Sequence, residues 1–221
     1  MRNRFVSCLL TGVVAAPIGF LATPAHQNQN ITVTVAGAGN GTLAGSTTDA
    51  SFSVNGEEVT CESTAPNPPA STAQLLIDNG VTMGAAPLSV GSVVKVSFTP
   101  GDCTGPLGKV TIRPKTNDHG FFVNSVTANT GRTDIFLSMV NLGFSMKDCS
   151  FRVQGEASGY YNNKAHSLTM SPKLPLVPPA QKTKLTITTV NGCAGLVDKG
   201  DHPVFEGTYE LAPATLTITS S

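Results

Sequence analysis

The chain of 221 residues has no tryptophan and only three tyrosines, Tyr160, Tyr161 and Tyr209. Sugar-binding modules build platforms from exposed aromatic faces, so this scarcity counts against one. It also departs from the immunoglobulin pattern, in which a core tryptophan packs on the disulfide. Charge is equally sparse, at 13% of residues, with 14 basic and 14 acidic side chains and no basic run. Arg2 and Arg4 belong to an N-terminal leader, so the remainder carries 12 − 14 = −2. That balance is too weak to draw in nucleic acid or an anionic membrane by itself.

Motifs of chemistry are missing too. There is no Gly-x-Ser-x-Gly elbow for a serine hydrolase. Neither Cys-x-x-Cys nor His-x-x-x-His occurs, so no zinc spacing is present. Asp198-Lys199-Gly200-Asp201 holds two carboxylates and a lysine, which reads as a turn rather than a calcium loop. No metal and no cofactor is expected.

What is present reads first at the N-terminus. Met1-Arg2-Asn3-Arg4 is a short basic start, followed by an apolar stretch from Phe5 to Ala22. Small residues at Thr23-Pro24-Ala25 then precede polar His26-Gln27-Asn28. This is the layout of a secretory signal, and cleavage after Ala25 leaves 221 − 25 = 196 residues. Cys8 lies near the start of the apolar stretch, too early for a lipid-attachment box, and is expected to leave with the signal. No other segment has the length and hydropathy of a membrane span.

The body, residues 26–221, is rich in Thr, Ser, Val and Gly with 15 prolines in the chain. Period-2 alternation recurs at Ile31/Val33/Val35, Phe52/Val54, Val94/Val96/Phe98, Val110/Ile112, Leu185/Ile187 and Leu216/Ile218. Alternation of that kind predicts antiparallel strands with one wet face. The fold class expected is all-β, a single antiparallel sandwich domain of immunoglobulin-like architecture. Thr133–Phe144 is apolar on both strand faces, so it reads as a central strand or a short helix. Gly37-Ala38-Gly39-Asn40-Gly41 and Val54-Asn55-Gly56 read as hairpin tips, and Pro66–Pro69 and Pro172–Pro179 as loops.

Four cysteines remain in the body: Cys61, Cys103, Cys149 and Cys193. An even set in an exported chain predicts a framework of two disulfides. The spacings are 42 and 44, and each second cysteine is followed by x-Gly and later by Asp-His and an aromatic. These parallels suggest a weak internal duplication, about 31–118 and 119–221. They predict pairing within each half, Cys61 with Cys103 and Cys149 with Cys193.

The two Asp-His pairs, Asp118-His119 and Asp201-His202, are the best candidates for catalysis, since a carboxylate can orient an imidazole. The reading preferred for both pairs is nonetheless a polar loop entering a strand. Gly155-Glu156-Ala157-Ser158-Gly159-Tyr160-Tyr161-Asn162-Asn163 is the most distinctive stretch and reads as a loop. Tyr160, Tyr161 and Asn162 are its candidate contact surface, because aromatic and amide side chains suit recognition. Asn30-Ile31-Thr32 and Asn40-Gly41-Thr42 match the glycosylation sequon.

The opening strand Ile31–Val35, the stretch from Cys149 through Tyr160, the Gly192-Cys193-Ala194-Gly195 turn and the closing Gly207-Thr208-Tyr209 strand form one layout. With the basic-start signal and paired cysteines, it resembles exported β-rich proteins of actinobacteria. The resemblance covers most of the body. It implies export and assigns no activity to any residue.

The function expected is non-enzymatic: a structural or interaction protein, secreted or held at the cell envelope, that meets an extracellular or envelope protein. The alternatives are an extracellular hydrolase using His119 or His202, and a carrier of a small apolar ligand. The carrier requires a void beside Phe136, Met139, Leu142 and Phe144.

Overall fold

The computed structural model describes residues 30–35, 41–63, 69–77, 80–99, 103–127, 131–172, 185–212 and 216–220. The signal stretch 1–25, Cys8, His26, most of the 37–41 turn and most of both proline loops lie outside the described residues. Those that are described form 17 strands and no helix. The first nine are β1 (Asn30–Val35), β2 (Thr42–Thr47), β3 (Asp49–Val54), β4 (Glu57–Glu62), β5 (Ser71–Leu76), β6 (Gly80–Ala85), β7 (Leu88–Phe98), β8 (Cys103–Gly105) and β9 (Gly108–Lys109). Then come β10 (Thr111–Pro114), β11 (His119–Thr127), β12 (Arg132–Met146), β13 (Cys149–Asn162), β14 (Ser167–Met170), β15 (Leu185–Asn191), β16 (Val204–Ala212) and β17 (Leu216–Ser220).

The all-β class and the two disulfides are present, but the sandwich is corrected to a barrel. Eight strands follow one another in the order β14-β13-β12-β11-β7-β5-β2-β16, and β16 pairs back with β14. That last pairing, Ser167–Met170 against Gly207–Glu210, closes the sheet on itself. Alternation is the same for a sandwich layer and a barrel wall, so only the pairing of distant strands separates them. The barrel takes strands from both halves of the proposed duplication.

Eight strands enclose a space that side chains can fill. Leu43, Leu75, Phe121, Ile135, Tyr161 and Tyr209 do so, all buried. Small residues make room for large ones. A Cβ on Gly45 would sit 3.0 Å from Leu211, and one on Gly159 would collide with the Thr169 carbonyl.

The barrel's longest strands run beyond it. Both Ser138 and Met139 fall in a register break of β12 against β13, and Met139 adopts a positive φ of 56°. A bulge of this kind bends a strand and re-aims the residues beyond it. Past it, β12 gains β10 as a neighbour, and β13 gains β15. On the opposite side β16 continues into β3, β4, β8 and β9. These two flaps pack face to face through Phe52, whose ring lies 4.8 Å from that of Phe144 and stacks on Phe205 at 4.5 Å.

Each disulfide lies in one flap. Cys61–Cys103 joins β4 to β8, and Cys149–Cys193 ties the start of β13 to the turn after β15. The pairing is the one the spacing predicts. A three-stranded sheet, β17-β1-β6, completes the fold. The Asn163 side chain docks it by acting as a strand partner: its Nδ2 donates to the Ile218 carbonyl (2.6 Å), and Ile218 N–H donates to its Oδ1 (2.9 Å).

One further expectation changes, and one open alternative is decided for the strand. The stretch from Gly155 to Asn162 is strand rather than loop, lying within β13, and Gly155 adopts φ 131° opposite the β12 bulge. Thr133–Phe144 is strand throughout, inside β12. The Asn55-Gly56 tip is a hairpin turn with both φ values positive, 53° and 86°.

Candidate functional site

The two histidines of the Asp-His pairs have different surroundings. His119 opens β11 and is buried inside the barrel wall. Its Nδ1 lies 3.0 Å from the Met139 carbonyl oxygen. A carbonyl only accepts, so Nδ1 carries the proton. The bulge takes Met139 out of the strand register, and His119 gives its carbonyl a partner. His202 is exposed, before β16, with Nδ1 3.0 Å from the Leu185 carbonyl and 3.3 Å from Thr186 Oγ1. Neither Nδ1 is held by a carboxylate. Asp201, adjacent to His202 in sequence, instead accepts from Asn55 Nδ2 and from the Asp198 N–H, both at 2.7 Å. It pins a turn.

The barrel interior holds a void of about 50 Å³, lined by Leu75, Val93, Leu137, Leu168, Met170 and His119 among others. Of the four residues expected around a carrier's cavity, only Leu142 borders it. Phe136 stacks on Phe122 with ring centroids 4.8 Å apart, Met139 is 61% exposed, and Phe144 stacks on Phe151. Ligand pockets run to about 300 Å³ or more, so this void is too small for a metabolite.

The tyrosine stretch is used internally. Tyr161 is fully buried, so it is withdrawn from any contact surface; its hydroxyl donates to the Leu216 carbonyl at 2.7 Å. Tyr160 is half-buried beneath Arg132, whose guanidinium lies 4.0 Å from the ring centroid. Asn162 Oδ1 accepts from the N–H groups of Lys164 and Ala165 and so shapes the β13–β14 turn. Tyr209 is buried with its hydroxyl 3.0 Å from Ser71 Oγ. Burial pushes both Tyr161 and Tyr209 up to about 12, and the Ser71 hydrogen bond pulls slightly the other way on Tyr209.

Strand register puts charge elsewhere. On β3, Ala50, Phe52 and Val54 face the core between the flaps, leaving Asp49, Ser51 and Ser53 outward. Register aligns Glu62 with Asp49, and Ser51 with both Thr60 and Glu206. Asp49, Glu58, Glu62 and Glu206 thus line one polar groove of about 410 Å³. Lys109 stands across from Thr104 at its far edge.

On the other flap the same alternation turns Ile112, Phe144 and Phe151 inward, and Thr111, Arg113, Ser145, Ser150 and Arg152 outward. Arg113, Lys115 and Arg152 line a second groove, of about 430 Å³, with hydroxyl and amide groups between them. Arg152 is held in place: its Nε donates to Asn141 Oδ1 at 2.7 Å, and Asn141 is buried. Lys115 lies along Gly143, where a Cβ would sit 2.6 Å from its Cε. Among the described residues these three cations form no ion pair. The two flaps therefore present opposite charge on opposite sides of one packed pair of layers.

No individual residue marks this groove in the sequence. Arg113-x-Lys115 has the period of one strand face, which is the only legible signal. Arg152 joins it through the β10–β12–β13 register, which composition does not reveal.

No protein-family model, curated protein or solved structure matches the chain.

Proposed function

We propose that this chain is an extracellular, non-enzymatic binding scaffold, released or held at the cell envelope, that engages an envelope partner through charged sheet faces. The observation that carries this reading is the pair of opposed grooves, one lined by Asp49, Glu58, Glu62 and Glu206, the other by Arg113, Lys115 and Arg152. Opposed charge on rigid strands steers and orients a partner. Two disulfides suit an oxidising compartment and hold both flaps. The groups best suited to chemistry are occupied instead with structural bonds: His119 with Met139, Tyr209 with Ser71, Tyr161 with Leu216.

Sedimentation with isolated envelope of the producing cells tests the reading. The protein is expected to co-sediment at low salt and to be released as salt rises, and His202→Gln is expected to behave as wild type. Failure to co-sediment at any salt, or hydrolysis of an ester, glycoside or peptide probe that His202→Gln abolishes, would overturn it.

A further inference from the structure

We propose that the Arg113/Lys115/Arg152 groove binds a linear polymer bearing phosphate or sulfate groups; the inference rests on the scaffold reading and names the ligand of one of its faces. Three features make this groove more than a basic patch. The first is preorganisation. Asn141 fixes Arg152 through Nε, which leaves the guanidinium's terminal N–H groups to address a ligand. A fork held in one orientation loses less freedom on meeting an oxyanion than a free side chain would.

The second is the floor. Gly143 carries no side chain, and the stem of the exposed Lys115 occupies the space that a Cβ there would take. The Lys115 N–H donates to the Asn141 carbonyl at 2.8 Å, so the backbone beneath the groove is also tied. Asn141 thus holds both sides of the site, one through its side chain and one through its main chain.

The third is the lining. Thr111, Ser145, Ser150, Thr189 and Asn191 supply hydroxyl and amide groups, and among the described residues no carboxylate borders the groove. Such a surface accepts successive oxyanions along a strand-like ligand. The rings of Phe144 and Phe151 stack on each other within the core, so no aromatic platform is offered for bases. This favours a simple polyanion over a single-stranded nucleic acid.

The test is a titration of the intact, disulfide-bonded protein with linear polyphosphate, a sulfated polysaccharide, poly-glutamate and neutral dextran at several salt concentrations. Binding of polyphosphate, of the sulfated polymer or of both is expected. The arm that binds identifies the source of the oxyanion. Three cations correspond to a log–log salt slope of about −2, at roughly 0.7 per neutralised charge. Arg113→Gln/Lys115→Gln is expected to weaken binding about tenfold and to bring the slope to about −0.7.

Arg152→Lys keeps the charge but loses the fixed fork, and is expected to weaken binding about threefold. Glu58→Gln/Glu62→Gln, on the opposite flap, should leave affinity unchanged or slightly raised. Binding that survives Arg113→Gln/Lys115→Gln, binding to poly-glutamate alone, or no binding to any polyanion would each overturn the assignment. If no polyanion binds but envelope sedimentation remains salt-sensitive, the ligand assignment falls and the scaffold reading stands. If sedimentation fails as well, the scaffold reading falls with it.

Discussion

Replacing His119 tests whether this buried imidazole is structural. It faces the barrel void and bonds the Met139 carbonyl at the bulge where β12 leaves the barrel. His119→Ala removes the donor and leaves that carbonyl without its partner, which costs about 1–3 kcal/mol. The lost ring also enlarges a void that already measures about 50 Å³, at about 24 cal/mol per Å³. Together these give about 3 kcal/mol, or a melting point lower by about 6–12 °C for a domain of this size.

Two companion variants separate the contributions. His119→Asn can place an amide N–H where Nδ1 stands, so it should lose about half as much. His119→Phe fills the space without a donor and should fall between the other two. Urea unfolding of the oxidised protein, with an unchanged m-value across the set, reads the differences. A His119→Ala variant within about 0.5 kcal/mol of wild type, or a His119→Asn variant no better than His119→Ala, would refute the clamp.

Other expectations rest on the same structure. Removing Cys61–Cys103 or Cys149–Cys193 as a pair to Ala should each cost up to about 4 kcal/mol on the chain-entropy account, given separations of 42 and 44 residues; equilibrium unfolding of each double variant measures it. Folded Tyr209 keeps its proton to about pH 12, whereas an unfolded tyrosine loses it near 10. The unfolded state therefore sheds protons first. Stability should be flat with respect to this group below pH 10 and fall between pH 10 and 12, by about 3 kcal/mol from Tyr209. Tyr161, raised likewise, adds a decline of its own over the same window, so Tyr209→Phe should roughly halve the total in a pH series of urea melts. Gly159→Ala should destabilise the barrel by about 1–3 kcal/mol, because its methyl meets the Thr169 carbonyl and Met170 Sδ; a thermal melt detects it.

Much of the local structure is legible in the sequence. Alternation locates β1, β3, β7, β10, β15 and β17, because each buries one face and wets the other. The cysteine spacing predicts both disulfides. Barrel closure is not legible, since it depends on β14 meeting β16, and residues 167–170 say nothing about residues 207–210. The Gly155–Asn162 stretch reads as a loop because glycines and asparagines favour loops. In the fold, Gly155 sits opposite the β12 bulge, and Gly159 permits close packing against β14. Tyr161 resembles a recognition residue by type, yet it faces the barrel interior and docks β17. The basic groove leaves little trace because Arg152 is far in sequence from Arg113 and Lys115 and the overall charge is small. Neither fact bears on what strand register assembles locally.

The most direct test of the central claim, an exported scaffold stapled by two disulfides, is the intact mass of the native protein under non-reducing conditions. Culture medium and a salt wash of the envelope would be measured separately. A chain beginning at His26, four hydrogens lighter than its thiol form because of its two disulfides, is expected in the medium, the wash or both. A mass that retains residues 1–25, or four free thiols, would contradict it.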